Sequence, residues 1–299
     1  MRNAFRETKQ RGTPDFPFDR YRYQCTKSRQ TTVNIHWHPE QEILYVKSGS
    51  IEVVIDKNAF LVEENQICFV PPNALHSVIT HSPNTAYFAF VFSYDLLTLP
   101  EHHFFQISIT EPLVQGRLVF PTVLDSSDVH HAAAVAALEQ MCLRPNTAPN
   151  YKLAIFQALL SLYSALQDTL IPADAAEDTA SNWAVKACLD YMHDHFGQRI
   201  TLDQLAQLVH LHPNYLCKLF KMYTGQTVFQ QLIHIRLENA AAMLEKGSCS
   251  VSQTANLCGF ESVSFFSRKF KQIIGCPPKE YGKKGHKEYS DSPDFLSYT

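Results

Sequence analysis

The chain of 299 residues contains no run approaching the roughly 18 consecutive apolar residues that a membrane-spanning helix needs. Its opening stretch, MRNAFRETKQRGTPDF, has no apolar core ahead of a small-residue cleavage site, so no secretory leader is expected. These absences predict a cytoplasmic protein without a membrane partner. The 8 cysteines, at positions 25, 68, 142, 188, 217, 249, 258 and 276, form no C-x-x-C pair, which favours buried reduced thiols over zinc, disulfide or redox chemistry. No glycine-rich phosphate loop, nucleophile–base constellation or paired catalytic acid emerges, which argues against an enzyme. Positive charge is scarce as well: 26 Lys and Arg against 29 Asp and Glu give −3, an unpromising balance for a nucleic-acid binder. Its distribution reverses that conclusion, because residues 182–284 hold 12 basic and 7 acidic side chains, a balance of +5, and the remainder carries −8.

What the chain does contain is a repeat. The stretch LDQLAQLVHLHPNYLCKLFKMYTG, beginning at Leu202, recurs as SQTANLCGFESVSFFSRKFKQIIG, beginning at Ser252. Ala206 maps onto Ala255 and Leu208 onto Leu257; after one inserted residue, Leu216 maps onto Phe266, Phe220 onto Phe270 and Gly225 onto Gly275. Two copies are too few for a solenoid and imply a matched pair of modules. Each copy reads as helix, tight turn, helix. Thr201 with Gln204, and Ser250 with Gln253, make capping-box patterns. Leu205, Ala206, Leu208 and Val209 in one copy, and Val251, Ala255 and Leu257 in the other, give an apolar face. Gly259, and His210 at the matching position, suit a turn residue with positive φ. The second helices should bury Tyr215, Leu216, Leu219 and Phe220, and Phe265, Phe266 and Phe270. Between the copies, a continuous helix over 228–246 is predicted, with Phe229, Leu232, Ile233, Leu237, Ala240 and Leu244 at helical spacing and Gly247 as its stop.

Over residues 182–282 the double unit resembles the DNA-binding domain of the AraC/XylS family of bacterial transcription regulators. The second copy carries the signature Ala255, Cys258-Gly259-Phe260, Phe265-Phe266-Ser267-Arg268, Phe270-Lys271, Gly275, Pro278 and Tyr281. The first carries Leu205-Ala206, Tyr215-Leu216, Leu219-Phe220-Lys221 and Gly225, with Arg236-Leu237 and Ala240 in the connecting helix; His212 stands where the family usually has a serine cap. The resemblance implies double-stranded promoter DNA as a partner, and RNA polymerase if the protein is an activator. On the exposed faces, His212, Asn214, Cys217, Lys218 and Lys221 in the first copy, and Ser262, Ser264, Ser267, Arg268 and Lys271 in the second, are expected to face DNA. Arg268 is the best base reader, since a guanidinium pairs bidentately with guanine; Lys221 and Lys271 suit phosphate.

In the N-terminal half, short β runs at 33–37, 42–47, 51–55, 67–70, 77–80 and 86–92 alternate with turn signals and predict an antiparallel sandwich or barrel. His36, His38, Glu42 and Gly49 have the spacing H-x-H-x3-E-x6-G of the first cupin motif, and Pro71 and His76 fall where the second has its proline and histidine. Asn65 and Asn73 replace that motif's two glycines and Thr80 its asparagine; asparagine tolerates the left-handed geometry that glycine supplies. Resemblance to metal-binding cupins makes His36, His38, Glu42 and His76 candidate ligands of a divalent transition metal, Zn, Fe, Mn or Ni. Cupin domains of regulators also hold small organic ligands without metal, and His36, Trp37, His38, Glu42 and His76 would then line a sugar-like pocket.

The expected architecture is α+β: a cupin-like jelly-roll barrel followed by helices and an all-α domain with two helix-turn-helix motifs. Residues 1–20 form an N-terminal arm or tail and 21–125 the barrel. Residues 126–169 form a helical segment that packs on the barrel and makes a homodimer interface, with helices at 127–143 and 151–166 and Leu153, Phe156, Leu160, Tyr163 and Leu166 as the stripe of the second. A linker over 170–181, the DNA-binding domain over 182–284 and a tail over 285–299 complete the chain. The implied function is a DNA-binding regulator sensing a small-molecule effector. A cupin metalloenzyme tethered to DNA, and a ligand-independent DNA-binding protein with a scaffold barrel, are the alternatives.

Overall fold

The computed structural model describes residues 11–98, 103–173, 179–247 and 249–284. The described residues form two compact units, one over 11–173 and one over 179–284. The first is built on eight strands: β1 (Phe18–Cys25), β2 (Thr31–His36), β3 (Gln41–Ser48), β4 (Ser50–Ile55), β5 (Asn58–Glu63), β6 (Ile67–Val70), β7 (His76–Thr80) and β8 (Thr85–Phe92). A π-helical turn over Gln106–Thr110 runs into the short α1 (Glu111–Val114); β9 (Leu118–Val119) and β10 (Val123–Leu124) follow. One antiparallel sheet has the order β1-β8-β3-β6-β10 and the other β2-β7-β4-β5. The strand patterns explain how they pack. In β4 and β7, buried Ile51, Val53, His76 and Val78 alternate with more exposed Glu52, Val54, Ser77 and Ile79, as in a sheet with one covered face. β3, β6 and β8 are buried over most of their length because both faces of their sheet are covered.

Alternation in β3 separates the two cores. Leu44 and Val46 join Tyr21, Tyr23, Val53, Val78, Tyr87 and Val91 between the sheets. Ile43 and Tyr45 face outward and pack with Phe69, Phe90 and Phe92 beneath α2 (His131–Leu143) and α3 (Tyr151–Leu166). The α3 stripe that descends onto the sheet is Ile155, Ala158, Leu159, Leu162, Tyr163 and Leu166, rotated from the expected one, and Leu153 is 68% exposed. Arg20 closes the C-terminus of α2, donating to the carbonyls of Cys142 at 3.1 Å and Arg144 at 2.9 Å and also to that of Met141. A cation there is favoured by the helix dipole. Residues 11–17 lie against this unit as an arm: Phe16 is buried beside Tyr151, and Asp15 pairs with Lys152 at 2.6 Å. Part of the expected linker belongs here too, since β11 (Ile171–Pro172) pairs with β9. Residues 1–10 of the expected arm and the tail over 285–299 lie outside the described residues.

The second unit is helical: α4 (Thr179–Asp194), α5 (Leu202–Leu208), α6 (Pro213–Thr224), α7 (Val228–Glu245), α8 (Val251–Leu257), α9 (Val263–Ile274) and α10 (Pro278–Lys284). Capping boxes start α5, α7 and α8, each closed by a glutamine three residues after Thr201, Thr227 or Ser250. Left-handed Gly225 and Gly275 stop α6 and α9, and Gly247 at φ +65° follows α7. Among the described residues no helix is long and apolar enough to cross a membrane.

Candidate functional site

His36 and His76 are register partners on neighbouring strands of one sheet. Glu42 lies on β3 of the facing sheet, on the same face as Leu44 and Val46, and His38 sits in the connection that carries the chain from β2 to β3. The four meet between the sheets, with one ligating atom from each within 4.8 Å of the others. His38 and His76 are 1% exposed and Glu42 4%. Left-handed Asn65 (φ +66°) and Asn73 (φ +61°) take the two motif-glycine positions without breaking the turns.

Each imidazole is oriented from behind by a carbonyl: Nδ1 of His36 lies 3.0 Å from Asn34 O, that of His38 3.2 Å from Glu40 O, and that of His76 2.9 Å from Ala74 O. Nε2 of His38 and of His76 point at the same Glu42 Oε2, at 3.1 and 2.9 Å. A neutral imidazole has one N–H and cannot donate to both acceptors. These rings are therefore imidazolium, or they aim a lone pair at a carboxylate. A cation at the convergence point removes the conflict, with Nδ1–H bonded to a carbonyl and Nε2 ligating, the outer arrangement usual for metal-bound histidine. Burial opposes the Glu42 charge, yet hydrogen bonds from His38 and His76 hold its carboxyl well below the usual range. Burial, reinforced by His76, holds His36 well below the usual imidazole range, so it offers a lone pair. His36, His38, Glu42 and His76 would be the residues to hold a divalent cation, which would supply the positive charge that the buried carboxylate faces. Trp37, the residue between the first two histidines, is half-buried and by extended-chain alternation takes the opposite face.

The second site is the pair of helices α6 and α9. His212 Nδ1 accepts from the amide of Asn214 at 3.3 Å, and Ser262 Oγ accepts from Phe265 at 3.3 Å, so both helices start on a side-chain cap. The turns before them hold His210 at φ +55° and Gly259 at φ +76°. Leu216, Leu219, Phe220 and Tyr223 hold α6 down, and Phe266 and Phe270 hold α9. His212, Asn214, Cys217, Lys218 and Lys221 are exposed on α6. On α9 the exposed set is Ser262, Ser264, Arg268 and Lys271, with Ser267 half-buried.

A family model described as a helix-turn-helix domain matches residues 205–284, and one described as a cupin domain matches residues 24–92. The chain therefore carries an AraC-type helix-turn-helix domain and a cupin domain. YobQ, an uncharacterized HTH-type transcriptional regulator of Bacillus subtilis strain 168, is 34% identical over 32% of this chain and 39% of its own length. YijO, an uncharacterized HTH-type transcriptional regulator of Escherichia coli K12, is 28% identical over 52% of this chain and 53% of its own. YdeC, another from Bacillus subtilis strain 168, is 20% identical over 93% and 96%. The chain thus spans about half or less of the first two relatives and nearly all of the third.

Some features of the two domains differ from the sequence expectation. Tyr215 is 51% exposed on α6 rather than buried, and the buried aromatics of that helix are Phe220 and Tyr223. Leu208 and Leu257, at matched positions just before the two turns, are 40% and 55% exposed, and Phe229 on α7 is 49% exposed. Helical spacing identifies the apolar residues of a helix; burial depends on how far a neighbour covers each one, and among the described residues these are covered only in part. Sequence reading also passed over the tether made by Arg236 of α7. Its Nε donates to Phe196 O and its Nη2 to Gln198 O, both at 2.8 Å, and its guanidinium lies 5.9 Å from the centre of the Phe260 ring. The Arg236-Leu237 pair in the family pattern was the available signal.

Proposed function

We propose that this chain is a sequence-specific DNA-binding transcription regulator whose cupin domain is its sensing half, with a divalent transition metal held by His36, His38, Glu42 and His76. The observation that carries the DNA reading is the duplicated helix-turn-helix, in which apolar anchors recur while two different exposed sets lie on α6 and α9. Each helix then reads a different sequence. α7, with 18 residues at 1.5 Å each, is a strut of about 27 Å, against about 34 Å between successive major grooves, so one chain reaches two grooves with some bending of the DNA. Arg268 reads a guanine, and Lys221 and Lys271 meet phosphates. A second copy of the chain, and RNA polymerase where transcription is activated, are the partners this function implies.

The metal reading rests on the three carbonyl-oriented imidazoles converging on one carboxylate. Tight packing of Leu44, Val53, Val78 and Tyr87 between the sheets favours an ion over a sugar-sized guest. Footprinting tests the DNA reading: an asymmetric site of about two helical turns per chain supports it, and protection of a single groove overturns it. Elemental analysis of protein purified without chelator tests the metal. One equivalent, lost in a His76→Ala variant that still folds, is expected; substoichiometric metal rejects the assignment. Turnover of a substrate by the metal-loaded chain would favour the metalloenzyme alternative instead.

A further inference from the structure

Against the outer face of the first sheet, on the side opposite the histidine–glutamate cluster, lies a cavity of about 190 Å³ that the function above does not use. Its floor is aromatic: the Phe69 and Phe120 rings stack at 4.8 Å and an interplanar angle of 25°. One wall is α1 and the turn after it, entered through the π-helical turn Gln106–Thr110, an irregularity often found beside functional sites. Val114, Gln115 and Gly116 are exposed and form the rim. Among the described residues no Lys, Arg, His, Asp or Glu lines it; its polar groups are three amides and the Tyr94 hydroxyl.

Two of the lining residues hold the backbone of the histidine–glutamate cluster, Gln41 through its side-chain amide and Asn73 through its backbone N–H. Gln41 is 2% exposed; its Nε2 donates to Glu42 O and to Val70 O, both at 2.9 Å, while its Oε1 accepts from Tyr94 Oη at 2.8 Å. The backbone N–H of Asn73 donates to His38 O at 2.7 Å. Two of the four converging residues are thus held through their carbonyls by residues that line this cavity.

We propose that the cavity is a second ligand site, taking an uncharged molecule of one small ring with a short polar substituent, and that its occupancy is felt at His38 and Glu42 through Asn73 and Gln41. Size and lining set the class. An apolar cavity of about 150 Å³ accommodates benzene, so this one takes a ring plus a few atoms. Without a cationic side chain, a carboxylate entering it would lose its hydration uncompensated.

The test uses the full chain, stripped by chelator and without DNA, so that it stands whether or not the cluster binds metal. Benzyl alcohol is the probe and benzoate, the same ring with a charge, its comparator. Binding is followed by thermal shift and by the ring resonances of isotopically labelled histidine. Expected are saturable binding of benzyl alcohol, at least roughly tenfold weaker binding of benzoate, and a movement of the His38 resonances that saturates with the thermal shift. Val114→Trp, a substitution at an exposed rim position, should abolish saturation while leaving the unliganded melting temperature unchanged. Equal binding of benzoate, undiminished binding to Val114→Trp, or no saturable binding overturns the site. Saturable binding that leaves His38 unmoved overturns its connection to the cluster.

Discussion

The two helix-turn-helix copies solve one folding problem with different residues, and their differences separate what the backbone demands from what the surface is free to choose. Phe220 and Phe270 are both fully buried at matched places, and Gly225 and Gly275 both end their helices in the left-handed region. At the turn the copies diverge. Gly259 has no room for a side chain, because a Cβ would lie 2.6 Å from Phe196 O and 2.9 Å from Arg236 Nη2. His210 holds the same left-handed conformation with an exposed side chain. The surfaces diverge most, with Asn214, Cys217 and Lys218 in one copy against Ser264, Ser267 and Arg268 in the other.

If the interiors are equivalent, Phe220→Ala and Phe270→Ala should each cost about 3–5 kcal/mol, by loss of buried area and the cavity left behind. Urea denaturation followed by circular dichroism measures both. A difference of more than about 2 kcal/mol would show that one copy has the weaker core.

The turns should respond unequally. Gly259→Ala adds left-handed strain to a collision with backbone and should cost about 3 kcal/mol. His210→Gly relieves the strain of a non-glycine residue there but frees the unfolded chain, so its net effect should stay within about 1 kcal/mol. Equal losses would mean that the close approach at Gly259 does not restrict the chain.

That contrast also shows what was legible in the sequence. Positions with a backbone requirement were readable: His210, Gly259, Gly247, Asn65 and Asn73 were all expected to accept unusual turn geometry, and all have positive φ. His36, Glu42 and His76 were readable because strand alternation and motif spacing fix which side chains share an interior; His38 was readable from the motif spacing alone, since it lies beyond the end of β2. Exposure of apolar residues was not. Tyr215, Leu208, Leu257, Phe229 and Leu153 satisfy the helical period yet are 40–68% exposed, and the period carries no information about neighbours. The strands β1 and β5 were missed as well. β5 buries Val62 alone and so gives no apolar alternation to detect, and residues 103–124 form π-helical, four-residue helical and two-residue elements too short to leave a pattern.

The exposed faces should differ in the kind of DNA contact they make. Arg268→Ala should cost about 1–3 kcal/mol on the preferred sequence and relax preference at one base pair. Lys221→Ala and Lys271→Ala should weaken binding to all sequences alike and make the salt dependence shallower by about one ion each. Affinities measured at several salt concentrations, on specific and scrambled duplexes, distinguish the two behaviours. Arg268 has its guanidinium 5.5 Å from the centre of the Phe265 ring, so Phe265→Leu should retain part of the affinity and lose part of the base preference.

The smallest effect should come from the caps. Ser262 satisfies the third amide of α9, whereas His212 satisfies the second of α6 through Nδ1 and leaves its ring exposed to solvent. Removing either cap strands one backbone donor at a solvent-accessible helix end, so Ser262→Ala and His212→Ala should each cost about 1 kcal/mol of stability. His212→Ser restores an acceptor and should recover most of that loss. DNA affinity then separates the two roles assigned to His212. A cap alone predicts that His212→Ser binds DNA like the parent chain, because α6 begins in the same place. A contact with DNA predicts that binding stays weakened after stability is restored. Full recovery of both would remove His212 from the DNA-facing set and leave Asn214, Cys217, Lys218 and Lys221 to carry the first groove.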